Sequence, residues 1–146
     1  MIVTDRTWKW GHGEIVYNSV RSGETIDHTK SVHGWNEPGF CDSLWRNVCH
    51  VPAPLGKLTA DPMPPMRVAK ELKPVGITET GPGVYLVDFG ENLTGWVETR
   101  VRGSRGQTVE LQFNEVLKAD GSLDTQNSTW HTRGRYQTEL LILGGD

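Results

Sequence analysis

Asp88-Phe-Gly-Glu-Asn-Leu-Thr-Gly-Trp96 leads into two runs of alternating apolar and polar residues, and this stretch decides the fold class. Trp96 to Arg102 sets Val97, Thr99 and Val101 on one side and Trp96, Glu98, Arg100 and Arg102 on the other. Val109, Leu111 and Phe113 then share a side, with Glu110, Gln112 and Asn114 opposite. Successive side chains of a strand point to opposite faces, so a period of two predicts a half-buried antiparallel pair. The connection Gly103-Ser-Arg-Gly106 supplies the glycines of a short hairpin loop. Glu115 falls on the apolar side, where it either ends the strand or meets an arginine across the sheet.

The rest of the chain reads the same way. It holds 17 glycines, 8 prolines and 6 tryptophans in 146 residues. Turn formers between β-branched and aromatic runs specify a sandwich or barrel. Strands are predicted at Glu14–Tyr17, Arg67–Leu72, Val84–Phe89 and within Arg135–Leu143, with turns at Gly81-Pro82-Gly83 and Ala119-Asp-Gly121-Ser122. The pattern holds no long amphipathic helix; Asp42-Ser-Leu-Trp45-Arg-Asn-Val48 predicts one helical turn with Asp42 as its N-cap. The fold class is therefore all-β, an antiparallel sandwich of jelly-roll type, with room for two partial sandwich units.

Five prolines lie between Pro52 and Pro65. Proline fixes φ and removes a backbone donor, so no central strand crosses this stretch. The expected division is a first β segment over 1–66, a connector over 67–76 and a second β segment over 77–146. The apolar run Leu140–Leu143 ends three residues before the last one, as in a sandwich cut short at its C-terminal end.

A net charge of −3 gives no electrostatic reason for a nucleic acid or an anionic membrane as partner. No apolar run has the length to span a bilayer. The first eight residues lack the apolar core of a signal peptide, so the sequence itself predicts no signal-directed export. Cys41 and Cys49 have neither zinc-type nor redox spacing and read as two free, partly buried thiols. A disulfide between them needs suitable geometry and an oxidising compartment. The five histidines show no zinc-binding spacing. Asn92-Leu-Thr94 and Asn127-Ser-Thr129 match the glycosylation sequon, a signal short enough to arise by chance.

An ordered set of short matches then points to a family. Asp5-Arg-Thr-Trp8-Lys9, Gly23-Glu24-Thr-Ile-Asp27, Gly34-Trp35, Pro38-Gly39-Phe40, Asp42-Ser-Leu-Trp45 and Pro64-Pro65-Met-Arg67-Val68 resemble the latter half of a bacterial α-L-rhamnosidase N-terminal domain. Lys73-Pro74, Val87-Asp-Phe-Gly90, Asn92-Leu-Thr-Gly-Trp96, Arg102-Gly103, Gly106, Glu115-Val-Leu117, Asp120-Gly121 and Leu143-Gly144 resemble the opening of its concanavalin-like domain. The departures are Glu91 where the family often has glutamine, Glu139 where it has aspartate, and Ile26 and His28 flanking Asp27. The resemblance implies that the catalytic acids lie in an (α/α) barrel outside this sequence. It therefore assigns no catalytic residue here and makes that barrel a partner. In such a longer parent protein the compartment, bacterial cytoplasm or periplasm, stays open.

The resemblance also implies a carbohydrate site. In calcium-assisted rhamnose-binding modules of this kind, the matching loop would make Asp27 an oxygen ligand to calcium. Trp35 would be the stacking platform, and Glu24 or Asn36 would orient hydroxyls of a rhamnose-containing glycan. A purely structural reading competes: Trp35 and Trp45 anchor loops, and Asp27 caps a turn. Trp8 and Trp10 share a face at strand spacing and read as packing residues, Trp96 as a plug at the sandwich end, and Trp130-His131 as a loop or interface contact. Asp88 and Asn92 read as turn residues around Gly90.

Overall fold

A computed structural model describes residues 3–126 and 135–145. Among these residues the chain forms eight strands and one 3₁₀ turn. The strands are β1 (Lys9–Trp10), β2 (Ile15–Ser19), β3 (Gly23–Asp27), β4 (Arg46–Asn47), β5 (Gly76–Gly81), β6 (Val84–Asp88), β7 (Thr108–Gln112) and β8 (Thr138–Ile142). No α-helix is present among the described residues, as the turn-rich sequence requires. The all-β reading holds. Residues Met1–His50 with Glu98–Asp146 form one compact unit, and Val51–Val97 form a second.

The first unit is built on a four-stranded sheet in the order β2-β3-β8-β7. The β2–β3 and β7–β8 pairs are antiparallel, whereas β3 and β8 run parallel, with Thr25 opposite Leu140 and Asp27 opposite Ile142. The register sorts most of the side chains. Tyr17, Thr25, Asp27, Thr138, Leu140, Ile142, Thr108, Glu110 and Gln112 share one, mainly polar face. Ile15, Ile26, Leu141, Val109 and Leu111 share the other, mainly apolar face, with Glu24 and Glu139 among them. The alternation read for residues 109–112 is thus realised, with its apolar side turned to this second face.

The partner of β7 differs from the sequence expectation. Residues 97–102 belong to no strand, and β7 pairs instead with β8. Alternation marks a strand and its faces but carries no information about its neighbour. Leu141 lies opposite Val109, and the ladder extends through Leu143 N–H to Gln107 O at 2.8 Å and Gly106 N–H to Leu143 O at 2.8 Å. The 103–106 turn does form, closed by Gln107 N–H to Ser104 O at 3.0 Å, and it feeds β7 from irregular chain. Glu115 is exposed beyond the end of that strand.

The helical turn expected at Asp42–Val48 is also absent. Trp45 N–H donates to Asp42 O at 3.0 Å to close a turn, and β4 follows at once to pair with β1. The Asp42 carboxylate takes the Lys9 ammonium at 2.8 Å instead of a helical N–H. The 3₁₀ turn falls at His28–Lys30, where Asp27 is the N-cap. The expected turn at Ala119–Ser122 is present, bracketed by Gly121 N–H to Lys118 O at 2.9 Å and a Leu117–Leu123 bridge.

The second unit is the β5–β6 hairpin around Gly81-Pro82-Gly83, with Ile77 opposite Val87 and Glu79 opposite Tyr85. Its proline-rich lead, residues 51–70, contains no strand. The strand expected at Arg67–Leu72 is likewise not formed. Asp88 Oδ1 accepts Gly90 N–H at 2.7 Å, so Asp88 has the turn-closing role read from its sequence.

Little of this chain is buried. Leu143 is the one buried apolar side chain among the described residues. The accessible surface is 13222 Å². A compact monomer of 16.3 kDa exposes about 7,500 Å². Ile77, Tyr85 and Trp96 are 64%, 59% and 70% exposed, so Trp96 is no plug within this chain. Cys41 and Cys49 are both free and exposed, rather than partly buried. No helix among the described residues is long and apolar enough to cross a membrane. Asn127, Trp130 and His131 lie outside the described residues.

Candidate functional site

Arg135 organises the polar face of the main sheet. Its Nη1 donates to Thr25 Oγ1 at 2.6 Å, its Nη2 to the Glu24 and Thr138 carbonyls, and its Nε to Thr138 O at 3.1 Å. The guanidinium also lies 5.0 Å from the Tyr17 ring centroid. One planar fork of five donors therefore ties β2, β3 and β8 together. From the apolar side Glu139 adds a second tie, its Oε2 accepting Glu24 N–H at 2.8 Å. No local pattern announces Arg135, because both its partners on β3 are more than a hundred residues away in sequence.

Beside Arg135 the polar face carries an open hollow of about 390 Å³, lined by Glu110, Gln112, Thr125, Tyr136, Thr138 and Leu140. Gln112 Nε2 donates to Glu110 Oε1 at 2.6 Å. Glu110 is the one carboxylate lining this hollow among the described residues. Glycoside hydrolysis by acid and base requires two carboxyls about 5–10 Å apart across the scissile bond.

The four residues singled out for carbohydrate fall into separate places. Glu24 and Asp27 are both on β3, but an odd spacing sends them to opposite faces of the sheet. Glu24 Oε1 accepts Asn18 Nδ2 at 2.5 Å. Asp27 is buried, and its Oδ1 accepts Thr29 N–H at 3.0 Å and Thr29 Oγ1–H at 2.5 Å. Its Oδ2 lies 3.2 Å from the Lys30 ammonium. The Thr29 hydroxyl, with the neighbouring ammonium, holds the Asp27 pKa below its ordinary value. Trp35 and Asn36 occupy the centre of the turn closed by Glu37 N–H to Gly34 O at 2.9 Å, and Trp35 is 61% exposed.

Calcium takes about six to eight oxygens. The Asp27 position brings one carboxylate, and Lys30 already stands beside it in the place of a cation. No group of three or more His, Cys, Asp or Glu residues is gathered for a metal among the described residues.

The neighbouring cap holds a further cluster. Glu14 Oε2 accepts the Ser31 hydroxyl and lies 3.2 Å from His28 Nδ1. The Ser31 bond chiefly holds the Glu14 pKa below its ordinary value. Arg105 joins the same corner, donating to Thr29 O at 3.0 Å and Gly144 O at 3.1 Å.

An amphipathic sheet locked by buried polar ties, with apolar surface left uncovered, defines the class: a β-sandwich region. Residues 1–70 match the α-L-rhamnosidase N-terminal domain, and residues 78–146 match the bacterial α-L-rhamnosidase concanavalin-like domain. The chain belongs to the α-L-rhamnosidase family through these two domains.

The α-L-rhamnosidase of Streptomyces avermitilis is 39% identical over 127 residues, which are 86% of this chain and 12% of that protein. One from Formosa agariphila is 29% identical over 81% of this chain and 12% of its own length. The crystal structure of the Streptomyces avermitilis enzyme complexed with L-rhamnose superposes with a TM-score of 0.90 at 36% identity, over 99% of this chain and 14% of that one. The α-L-rhamnosidase of Dictyoglumus thermophilum gives 0.86 at 36% identity, over 99% and 16%. The chain thus spans about one eighth of the length of these curated relatives.

Proposed function

We propose that this chain is a non-catalytic β-sheet support region of an α-L-rhamnosidase-like glycoside hydrolase, whose whole polypeptide removes terminal α-L-rhamnosyl residues. One observation carries the reading. Strands from both matched domains, β2 and β3 from the first and β7 and β8 from the second, close a single sheet with one mainly apolar face. Such a sheet holds its flanking segments in a fixed register and offers apolar surface for further polypeptide to cover. The partner in this reading is an (α/α) barrel that supplies the two catalytic carboxyls. The direct test is nitrophenol release from an aryl α-L-rhamnoside by the 146-residue chain alone. The expected result is none; turnover that disappears in Glu24→Gln would overturn the reading.

Trp35 favours a second reading, glycan binding, because its indole stands exposed at a turn apex. In that reading Trp35 stacks on a rhamnose ring and its turn neighbour Asn36 meets the hydroxyls; Glu24 and Asp27, on opposite faces of β3, do not join the same ring. L-Rhamnose then shifts the amide signals of Trp35 and Asn36. No shift up to about 50 mM sugar, beyond the usual range of weak ligands, removes it.

A further inference from the structure

A second hollow in the first unit, about 250 Å³, lies at one end of the β1–β4 pair and is lined by Trp10, Gly11, His12, Leu44, Trp45 and Arg46. Its walls are aromatic. The Trp10 and His12 rings meet edge-on at 5.2 Å, and Trp45 meets Phe40 at 5.4 Å. Gly11 lets the chain pass against the Trp45 indole: a Cβ there would come within 2.7 Å of its ring. The β1–β4 register sets Trp10 directly opposite Arg46, and the guanidinium sits 5.9 Å from the Trp10 ring centroid. At that distance the guanidinium is at the outer reach of a cation–π contact.

Trp10, Trp45 and Arg46 bring three donor groups to this cleft, the Arg46 side chain exposed. Trp8 satisfies its indole N–H on Val3 O at 3.1 Å. The Trp10 and Trp45 indoles and the Arg46 guanidinium make no side-chain hydrogen bond or ion pair among the described residues. Among the described residues no carboxylate lines the hollow, although the chain as a whole is acidic. Aromatic walls suit the apolar C–H face of a pyranose ring. A volume below the usual range of ligand pockets limits the occupant to one ring. A carbon-bound carboxylate matches the Arg46 fork in a two-point contact.

We infer that the Trp10–Trp45 cleft binds a carboxylate-bearing pyranose, a uronic acid residue of a glycan, through Arg46. The cleft shares no residue with Glu24, Asp27, Trp35 or Asn36, so the inference stands apart from the rhamnose reading.

The test is NMR titration of the full 146-residue chain, following the indole N–H signals of Trp10 and Trp45 assigned by single Trp→Phe variants. D-Galacturonate, D-galactose and acetate are the probes. D-Galacturonate is expected to shift both signals with a Kd of about 1 mM, as a small ligand of this size allows. D-Galactose should bind at least about 10-fold more weakly, as loss of a charge-assisted fork implies. Arg46→Gln, with unchanged far-UV circular dichroism, should bring D-galacturonate down to the level of D-galactose. Three results would each overturn the inference: no shift of these two signals with D-galacturonate, equal affinity for D-galactose, or an equal shift with acetate alone. The rhamnose reading is scored separately, on the amides of Trp35 and Asn36.

Discussion

Gly23→Ala should destabilise the four-stranded sheet, and the cost can be assembled from separate parts. Gly23 opens β3 with φ at +86°, a region L-residues occupy at a cost of about 1–2 kcal/mol. A Cβ there would lie 2.3 Å from Thr138 O and 2.7 Å from Thr138 C. Those atoms are backbone, so β3 and β8 must separate rather than a side chain swing aside. Separation stretches Thr138 N–H to Ser22 O, now 3.2 Å, and Glu24 N–H to Glu139 Oε2, now 2.8 Å. Each such bond contributes about 1 kcal/mol net. The total is about 3–4 kcal/mol, a large share of a domain stability of about 5–15 kcal/mol.

Two other glycines separate the terms. Gly39 has φ at +90° and nothing within 4 Å of a Cβ, so Gly39→Ala carries only the conformational cost of about 1–2 kcal/mol. Gly13 has neither constraint, so Gly13→Ala should be neutral or up to about 1 kcal/mol stabilising. Urea unfolding followed by far-UV circular dichroism gives the three values. Amide hydrogen exchange at Leu140 and Leu141 reports whether the β3–β8 junction opened. If Gly23→Ala costs no more than Gly39→Ala, the close parallel junction at residue 23 is wrong.

Arg135→Met keeps the aliphatic stem but removes the fork bridging three strands; a loss of about 2–3 kcal/mol in a urea melt is expected, and an unchanged midpoint would refute the bridge. Asp27 has a folded pKa below its ordinary value of 3.8, so its stabilisation is fully present above that value and fades as pH falls through the folded pKa. Asp27→Ala should therefore lower the melting temperature at pH 7 and flatten its acid dependence below pH about 4; an unchanged acid limb counts against the cap. Ellman's reagent should titrate two thiols per native chain, since Cys41 and Cys49 are free and exposed. Cys41 should react faster, because the Ser43 hydroxyl lowers its pKa. Equal rates, or fewer than two reactive thiols, would contradict the geometry.

Particular residues show where sequence reasoning was sufficient. The turn Gly81-Pro82-Gly83 and the strand after it were legible, because glycine and proline restrict the chain within a few residues, whereas β5 before the turn was not read. Alternation at Val109 and Leu111 fixed which side chains of β7 are apolar-facing, because the pleat has a period of two. The prolines from Pro52 to Pro65 kept strands out of their stretch through the missing donors. The reading of Asp27 left two roles open, ligand or cap, because a carboxylate serves either and only its neighbours decide. Reading residues 23–27 as a loop concealed that Glu24 and Asp27 point apart; as a strand, their spacing alone separates them.

The amino-acid order by itself determined an all-β chain, its turns and the faces of its strands, since those follow from φ limits and side-chain alternation over a few residues. Only the tertiary structure decided that β7 lies against β8 rather than residues 96–102, and that β8 lies parallel to β3. It alone brought Arg135 to Thr25 and Trp10 opposite Arg46. Those choices are made by contacts between distant segments, where backbone donors are alike and shape and charge complementarity select the partner.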